Sequence, residues 1–394
     1  MIDVKELIAK YTVEELIQTA DDYYKSVNLD QLAIKPFRIP EANHLLIELA
    51  YLIYGLDIRA GDRVLDFGCG TGWTSRVLNA CGCHVIGTDV SQTALDAARA
   101  ISEQWQAAGL RSPHAISRLE FRRFDGHRLE VDDNSIDKVM VLDAFHHVPN
   151  QSVVLREFAR VLMPGGIAGF CEPGPKHSQS PESQREMTLH KVIENDIVLD
   201  EIFKTARSLG FDDLKVCLSP LHPVVVDYSE YSAFPTNPNI TNHYLGVTNR
   251  RVKNYPIFFL KKSGTASRDS RSINELRAEM AMTGPPTLRC QAGAPIEIRF
   301  KVTNTGKSVW LRSGTLPGTV NIGIVANRGD GKAFQFRSHL SDVPVVPGTQ
   351  LDAVALIGGL EPGDYDLEID LVSEHIAWFK NLGNRELHVK VEVR

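Results

Sequence analysis

The stretch DRVLDFGCGTGW, residues 62–73, decides how this chain folds. An apolar run from Val64 to Phe67 leads directly into Gly68, Gly70 and Gly72, three glycines at alternate positions. Glycine takes positive φ cheaply and leaves no side chain in the way of an approaching ligand. The pattern predicts a buried strand, then a tight turn that brings backbone close to a bound molecule, then a helix. A dinucleotide loop wants G-x-G-x-x-G with a pyrophosphate over the helix N-terminus. Here the third glycine comes one residue early, which disfavours a nicotinamide cofactor.

Outward from that turn the chain alternates between strand and helix patterns. Residues 64–67, 84–89, 119–123, 138–143, 167–171, 214–218 and 256–260 read as strands, and 92–106, 153–162 and 201–209 as helices. Such alternation predicts an α/β fold with a mainly parallel, Rossmann-like sheet of seven strands. Ligands of these sheets bind at the carboxyl ends of the strands, so the loops after Phe67, Asp89, Arg123, Asp143 and Cys171 are expected to face one site. Residues 1–56 read as a helical cap, with Leu45, Leu46, Leu49, Leu52 and Ile53 at helical spacing. The sheet domain spans 57–262, and within it 219–254, rich in Pro, Asn and Tyr, reads as a substrate-loop insertion. A polar linker, 263–283, leads to 284–394, where period-two alternation and Gly/Asn/Pro turns indicate an all-β, two-sheet sandwich.

A length of 394 residues fits two domains better than one core, and 43% hydrophobic residues with net charge −6 is an ordinary soluble composition. The slight acidity gives no reason to expect nucleic acid or an anionic membrane as partner. The start MIDVKELIAKY lacks an apolar leader core, and no apolar run is long enough to cross a bilayer. Six scattered cysteines, with Cys81 and Cys83 the only close pair, read as reduced thiols in a cytoplasmic protein.

The glycine turn preceded by Asp66 resembles motif I of the class I S-adenosylmethionine-dependent methyltransferases. The resemblance continues through VIGTDVS, FRRFDGHRL, IDKVMVLDAFHHV and REFARVLMPGGIAGFCEPG, in the family's order, over roughly residues 40–262. It implies S-adenosyl-L-methionine as cofactor. The implied contacts are Asp66, Phe67, Gly68, Cys69, Gly70, Gly72 and Trp73 in the turn, and Asp89 with Val90 at the ribose. Asp125 and Gly126 are implied at the adenine, and Asp143 with Ala144 lining the site. Chemically, backbone N–H groups at Gly68–Gly72 suit the ligand carboxylate, Asp66 its ammonium, and the two oxygens of Asp89 a ribose diol.

Methyl transfer requires an acceptor atom in line with the sulfonium methyl, and a hydroxyl acceptor gains from a nearby base. His146 and His147, Glu172 and His177 follow the fourth and fifth strands and are the candidates. HHV followed by Pro149 resembles a signature of the broad type 11 methyltransferases, in which one histidine can instead pack beneath the ligand. No acidic cluster imposes a metal; Asp143 and Glu172 would need to converge to hold one, and none is assigned. Tyr24 and Phe37 in the cap, together with Tyr23 and Lys35, and Tyr228, Tyr231 and Tyr244 in the insertion, are the candidate substrate residues. Such rings suit a carbohydrate or another mixed-polarity acceptor, and equally suit covering a sheet edge.

The last domain resembles immunoglobulin-like modules of bacterial polysaccharide-assembly proteins, through NTGKSVW, VPVVPG and EPGDYDLEIDLVSEHIAWF. Trp310 and Trp378 are expected in its inter-sheet core. Together these resemblances imply O-methylation of a saccharide or glycan-linked acceptor in surface-polysaccharide biosynthesis. They also imply a hydroxyl-bearing substrate, no nucleic acid, and oligomer or assembly contacts through the sandwich. Two alternatives stay open: methylation of a small secondary metabolite, and a non-catalytic protein that binds cofactor and glycan.

Overall fold

The computed structural model describes residues 1–38, 41–59, 61–108, 118–220, 222–234, 236–264, 269–273 and 275–394. The chain divides into two compact units, Met1–Ala266 and Ser267–Arg394.

Unit 1 is built on seven strands: β1 Arg63–Phe67, β2 His84–Asp89, β3 Leu119–Arg123, β4 Ile136–Leu142, β5 Leu162–Cys171, β6 Phe211–Val216 and β7 Ile257–Lys262. They form one sheet in the order β3-β2-β1-β4-β5-β7-β6. All pairs are parallel except those of β7, which runs antiparallel to β5 and β6. The chain moves outward from β1 in one direction to β3 and in the other to β5, so the strand order reverses beside β1. A site at the carboxyl ends of β1, β2 and β4 follows from that reversal.

The helices of this unit are α1 Val4–Lys10, α2 Val13–Ser26, α3 Leu29–Ala33, α4 Ala42–Leu56, α5 Trp73–Ala80, α6 Gln92–Ala107, α7 Gln151–Val161, α8 Pro181–His190, α9 Leu199–Ser208, α10 Tyr228–Tyr231 and α11 Pro238–Asn254. One face of the sheet is covered by α7 and α9, whose Val154, Leu155, Phe158, Ile202 and Ala206 share a core with Val141, Phe170 and Phe258. The other face is covered by α4: Leu45, Leu49, Leu52 and Leu56 recur at helical spacing and meet Val64, Val85, Met140 and Phe259. The expected cap of residues 1–56 is therefore shorter, because α4 belongs to the sheet layer and only α1–α3 remain for a cap. Burying those four leucines on the sheet contributes roughly 1.5–3 kcal/mol each.

The expected 219–254 loop is also corrected, since its second half is the helix α11. Asn237 caps it through its side chain and Pro238 occupies the first turn. Only Ile240 and Arg251 of its residues are buried, so there was no apolar stripe to announce it.

Unit 2 contains β8 Ala278–Met282, β9 Thr287–Cys290, β10 Ile296–Asn304, β11 Val320–Arg328, β12 Ala333–Ser338, β13 Gln350–Ile357, β14 Gly363–Ser373, β15 Ala377–Trp378 and β16 Leu387–Val393. Two sheets result, β13-β10-β8 and β12-β11-β14-β16-β9, with β15 on β14. Alternate residues of both, such as Ile298 and Phe300 from the first and Ile322, Ile324 and Leu367 from the second, meet in one core. The expected linker 263–283 is corrected, because β8 lies inside it and pairs with β10, and because Ser270 is buried, donating to Gly318 O. Trp310 fills the core as expected, edge-on to Phe379 at 5.5 Å. Trp378 does not. Its ring lies against Gly323, where a Cβ would come within 2.5 Å of it, while the neighbouring Ile322 and Ile324 point into the core. It therefore covers the outer face of the larger sheet, flanked by Arg337 at 4.7 Å and Lys380 at 5.8 Å.

Candidate functional site

The turn after β1 is a crook of three left-handed glycines, with φ of 70° at Gly68, 52° at Gly70 and 74° at Gly72. It is held from inside. Gly68 N and Cys69 N both donate to Thr88 O, Gly72 N donates to Cys69 O, and Gly70 N donates to Asp89 Oδ2 at 2.9 Å. These four amides are thus spent on the crook itself, which corrects the expectation that they stand ready for a carboxylate. Asp89 also accepts from Ser91 N at 2.9 Å through its other oxygen. Burial raises its pKa, against the donors of Ser91 and Gly70.

Asp66 is buried beneath the crook, accepting from Thr74 Oγ1 at 2.6 Å and Ser75 Oγ at 2.5 Å. Burial pushes its carboxyl up to about 6, opposed by the two hydroxyl donors and helped by the Asp89 charge. Phe67 and Trp73 are corrected as ligand-facing side chains. Phe67 packs edge-on against Phe124 and Phe158, and Trp73 lies in the α4-side core. Cys69 is buried with its thiol toward Gly70 O, and Val90 packs against the α7-side core. Asp125 accepts from His127 N and Arg128 N and so holds its own turn.

Helix α2 lies over these loops. Asp21 accepts from Ser91 Oγ at 2.8 Å and Thr93 N at 3.0 Å. Val13 and Ile17 cover Gly126, and the Tyr24 hydroxyl stands over Gly70, 2.8 Å from where a Cβ would be. Burial would raise the Asp21 carboxyl, but Lys25, Thr93 and Ser91 hold it well below the usual range. Burial and the nearby Asp89 keep the Tyr24 phenol protonated well above its ordinary pKa.

Beyond β4, Ala144 rests against Gly68, whose Cβ would lie 2.3 Å from that of Ala144. A histidine turn follows at once. Glu172, at the end of β5 and fully buried, accepts from Ala144 N at 3.0 Å, Phe145 N at 2.8 Å and His146 N at 3.2 Å. Its Oε2 also lies 2.7 Å from His146 Nδ1. Glu172 is thereby a cap of this turn rather than a base open to an acceptor. Burial alone would lower the His146 pKa, but the Glu172 hydrogen bond and charge push it up to about 9.

The fifth member of the cluster was not foreseen. Glu194, buried in an irregular segment, lies 2.6 Å from His177 Nε2, 3.5 Å from His147 Nδ1 and 4.0 Å from His146 Nε2, and it accepts from Ser183 Oγ at 3.2 Å. Its His177 partner holds its pKa down against a burial effect that would raise it. His147 Nδ1 donates to Ile193 O at 2.7 Å, and its side chain stays 41% exposed, the open flank of the cluster. Asp143 is exposed, with φ 55°, while both Glu172 oxygens are taken up by the histidine turn. His146, His147 and Glu194 form the candidate metal group instead, each offering a ligand atom within 4.8 Å of the others.

Apart from Tyr24 over the crook, the expected aromatic residues are spent elsewhere. Tyr228 and Tyr231 are exposed and stack on each other at 6.5 Å, and Tyr244 meets Phe234 edge-on. Phe37 is exposed, and Tyr23 packs on Tyr24 and His190. The insertion reaches the site through its far end. Buried Arg251 donates to Glu48 Oε1 at 3.1 Å and stacks near Tyr255, whose phenol is raised by burial and by the Asp143 and Glu48 charges.

Residues 65–170 match the model of a family described as a methyltransferase domain. Unit 1 has the class I methyltransferase fold. S-adenosylmethionine is its cofactor, and the donor set fits: a buried acid at β1, a second buried carboxylate at β2, and a bare glycine crook between them. Methyltransferase GfsG of Streptomyces halstedii is 35% identical over 147 residues, covering 36% of this chain and 48% of that protein. The 27-O-demethylrifamycin SV methyltransferase of Amycolatopsis mediterranei is 31% identical over 162 residues, 40% of this chain and 56% of that one. The sterol 24-C-methyltransferase of Saccharomyces cerevisiae is 28% identical over 171 residues, 42% and 43% of the two chains. The chain thus spans about half the length of the curated relatives it matches. Among solved structures, Haemonchus contortus phosphoethanolamine N-methyltransferase 2 with S-adenosyl-L-methionine aligns at TM-score 0.40 and 18% identity, over 56% of this chain and 53% of that one. The matches name several different acceptors. No helix among the described residues is long and apolar enough to cross a membrane.

Proposed function

We propose that the chain transfers the methyl group of S-adenosylmethionine to a hydroxyl oxygen of a saccharide or glycan-linked acceptor, in bacterial surface-polysaccharide biosynthesis. The contact of Ala144 with Gly68 carries this reading, because it sets the histidine cluster two residues beyond the wall of the cofactor crook. In this reading Asp89 binds the ribose diol, Asp66 helps the ammonium end, and α2 with Tyr24 excludes water. The cofactor supplies an electrophilic methyl group. The acceptor hydroxyl meets the open flank at His147, with His146 and His177 positioned by Glu172 and Glu194. The O–H proton leaves to the cluster and solvent, and the freed oxygen pair forms the O–CH3 bond. The S–CH3 pair returns to sulfur as S-adenosylhomocysteine departs, so charge and atoms balance.

For unit 2 we infer an immunoglobulin-like module that holds the glycan or an assembly partner. Its support is the face-to-face packing of two sheets and a buried Tyr365, whose hydroxyl donates to Glu361 O four residues upstream, as in the tyrosine corner of such sandwiches. No disulfide joins any of the six cysteines, which is in keeping with a reducing, cytoplasmic setting. The likeness to a rifamycin methyltransferase favours a second reading, a small secondary-metabolite acceptor.

The test is methyl transfer from labelled S-adenosylmethionine over a panel of free sugars, lipid-linked oligosaccharides and polyketide aglycones. Turnover on saccharides, lost in Asp89→Ala with the cofactor affinity, is expected. Turnover on aglycones alone would select the second reading. Wild-type cofactor affinity in Asp89→Ala would remove the ribose assignment.

A further inference from the structure

Three histidines and two buried glutamates meet beside the crook, and hydroxyl methylation by the reading above does not by itself require so many. Their hydrogen bonds show an order. His146 is tied through Nδ1 to the Glu172 carboxylate and His147 through Nδ1 to Ile193 O, each at 2.7 Å. Histidines that ligate metals are fixed in this way, with one ring nitrogen held by a carboxylate or carbonyl and the other left with its lone pair. Nε2 of His146 lies 4.0 Å from Glu194 Oε2, beyond hydrogen-bond reach, and releases its proton when an ion takes that place. Two ligands of one ion with bonds of about 2.0–2.2 Å stand roughly 3.4 Å apart, so a small rotation closes the gap. Glu194 is itself steadied by His177 and Ser183, as ligating carboxylates are. Two members are buried while His147 faces outward, which gives an entry path and leaves open coordination positions.

We propose that His146, His147 and Glu194 bind a divalent first-row transition cation, with Glu172 and Ile193 O orienting the rings. Two imidazoles and one carboxylate suit Zn2+, Fe2+, Co2+ or Mn2+ rather than Mg2+ or Ca2+, which prefer oxygen alone. An acceptor hydroxyl bound at an open position would lose its proton to solvent more readily, and the resulting oxygen would attack the methyl group. The role in transfer rests on the proposed function; the site itself does not.

The chelator-treated full chain, titrated with Co2+ alone and followed by visible absorption and calorimetry, tests it. One equivalent bound through nitrogen and oxygen, without thiolate bands, is expected. Affinity should fall at least tenfold in His147→Gln and Glu194→Gln, and about 10- to 100-fold in Glu172→Gln, which keeps the volume but weakens the ring anchor. S-adenosylmethionine binding by each variant reports that it is folded. Absence of stoichiometric binding, or binding indifferent to His147→Gln, would overturn the site. Transfer that proceeds unchanged in chelator alongside either result would leave the proposed function standing. Co2+ binding with no turnover on any acceptor would support the site and remove the transfer reading.

Discussion

Each unit buries an aspartate whose carboxyl is pushed up to about 6, and the two places are unlike. Asp66 sits where parallel strands end and receives two hydroxyl donors, in a unit that also buries Asp89, His146, Glu172 and Glu194. Asp370 stands almost alone on the outer face of β14, with Lys380 N on one oxygen at 2.9 Å and no partner on the other. Burial of charge costs free energy in both cases. In unit 1 it recurs at the ends of β1, β2 and β5, where Asp66, Asp89 and Glu172 are all buried, as sites of chemistry require. In unit 2 the aspartate is an isolated penalty in a scaffold otherwise held by apolar packing.

The contrast is broken or sharpened by four measurements. Glu172→Ala strips a partner from three amides and from His146, and should cost about 3–5 kcal/mol of unit 1 stability in urea unfolding while the unit 2 transition stays in place. An equal loss in both transitions would deny that the units carry their own cores. Asp370→Asn should do the reverse and stabilise unit 2. The folded pKa of about 6 lies above the unfolded carboxylate value, so this group favours folding below about pH 4 and loses that contribution as pH rises through 6. The variant should therefore gain about 2 kcal/mol at pH 8 and nothing near pH 4, checked by melting across that range. For Asp66 the same direction acts on binding. Its carboxylate is lost as pH falls through about 6, so cofactor affinity should drop about tenfold between pH 7 and pH 5 by calorimetry, and Asp66→Asn should flatten that profile. The smallest effect is Arg337→Ala, which removes the cation beside Trp378 and the 2.7 Å pair with Glu374. It should cost about 1 kcal/mol or less.

The sheet was legible because its central strands are buried on both faces and read as mostly apolar runs, Val139–Leu142 above all. The crook was legible because glycine takes three positive φ values in close succession at little cost. Side-chain direction was not: Phe67 and Trp73 flank the crook in sequence, yet both turn into cores on either side of the sheet. Glu194 was hidden for another reason. It lies in a segment without period, and its partners are 17, 47 and 48 residues away. Trp378 was misplaced because a two-residue strand gives no alternation from which to read its face.

One turn of α2, from Asp21 to Tyr24, rests on two loops at once: the serine that follows β2 and the glycine crook that follows β1. Lifting that turn unlatches both together. Whatever spans the two loops would then be admitted or let go in a single opening.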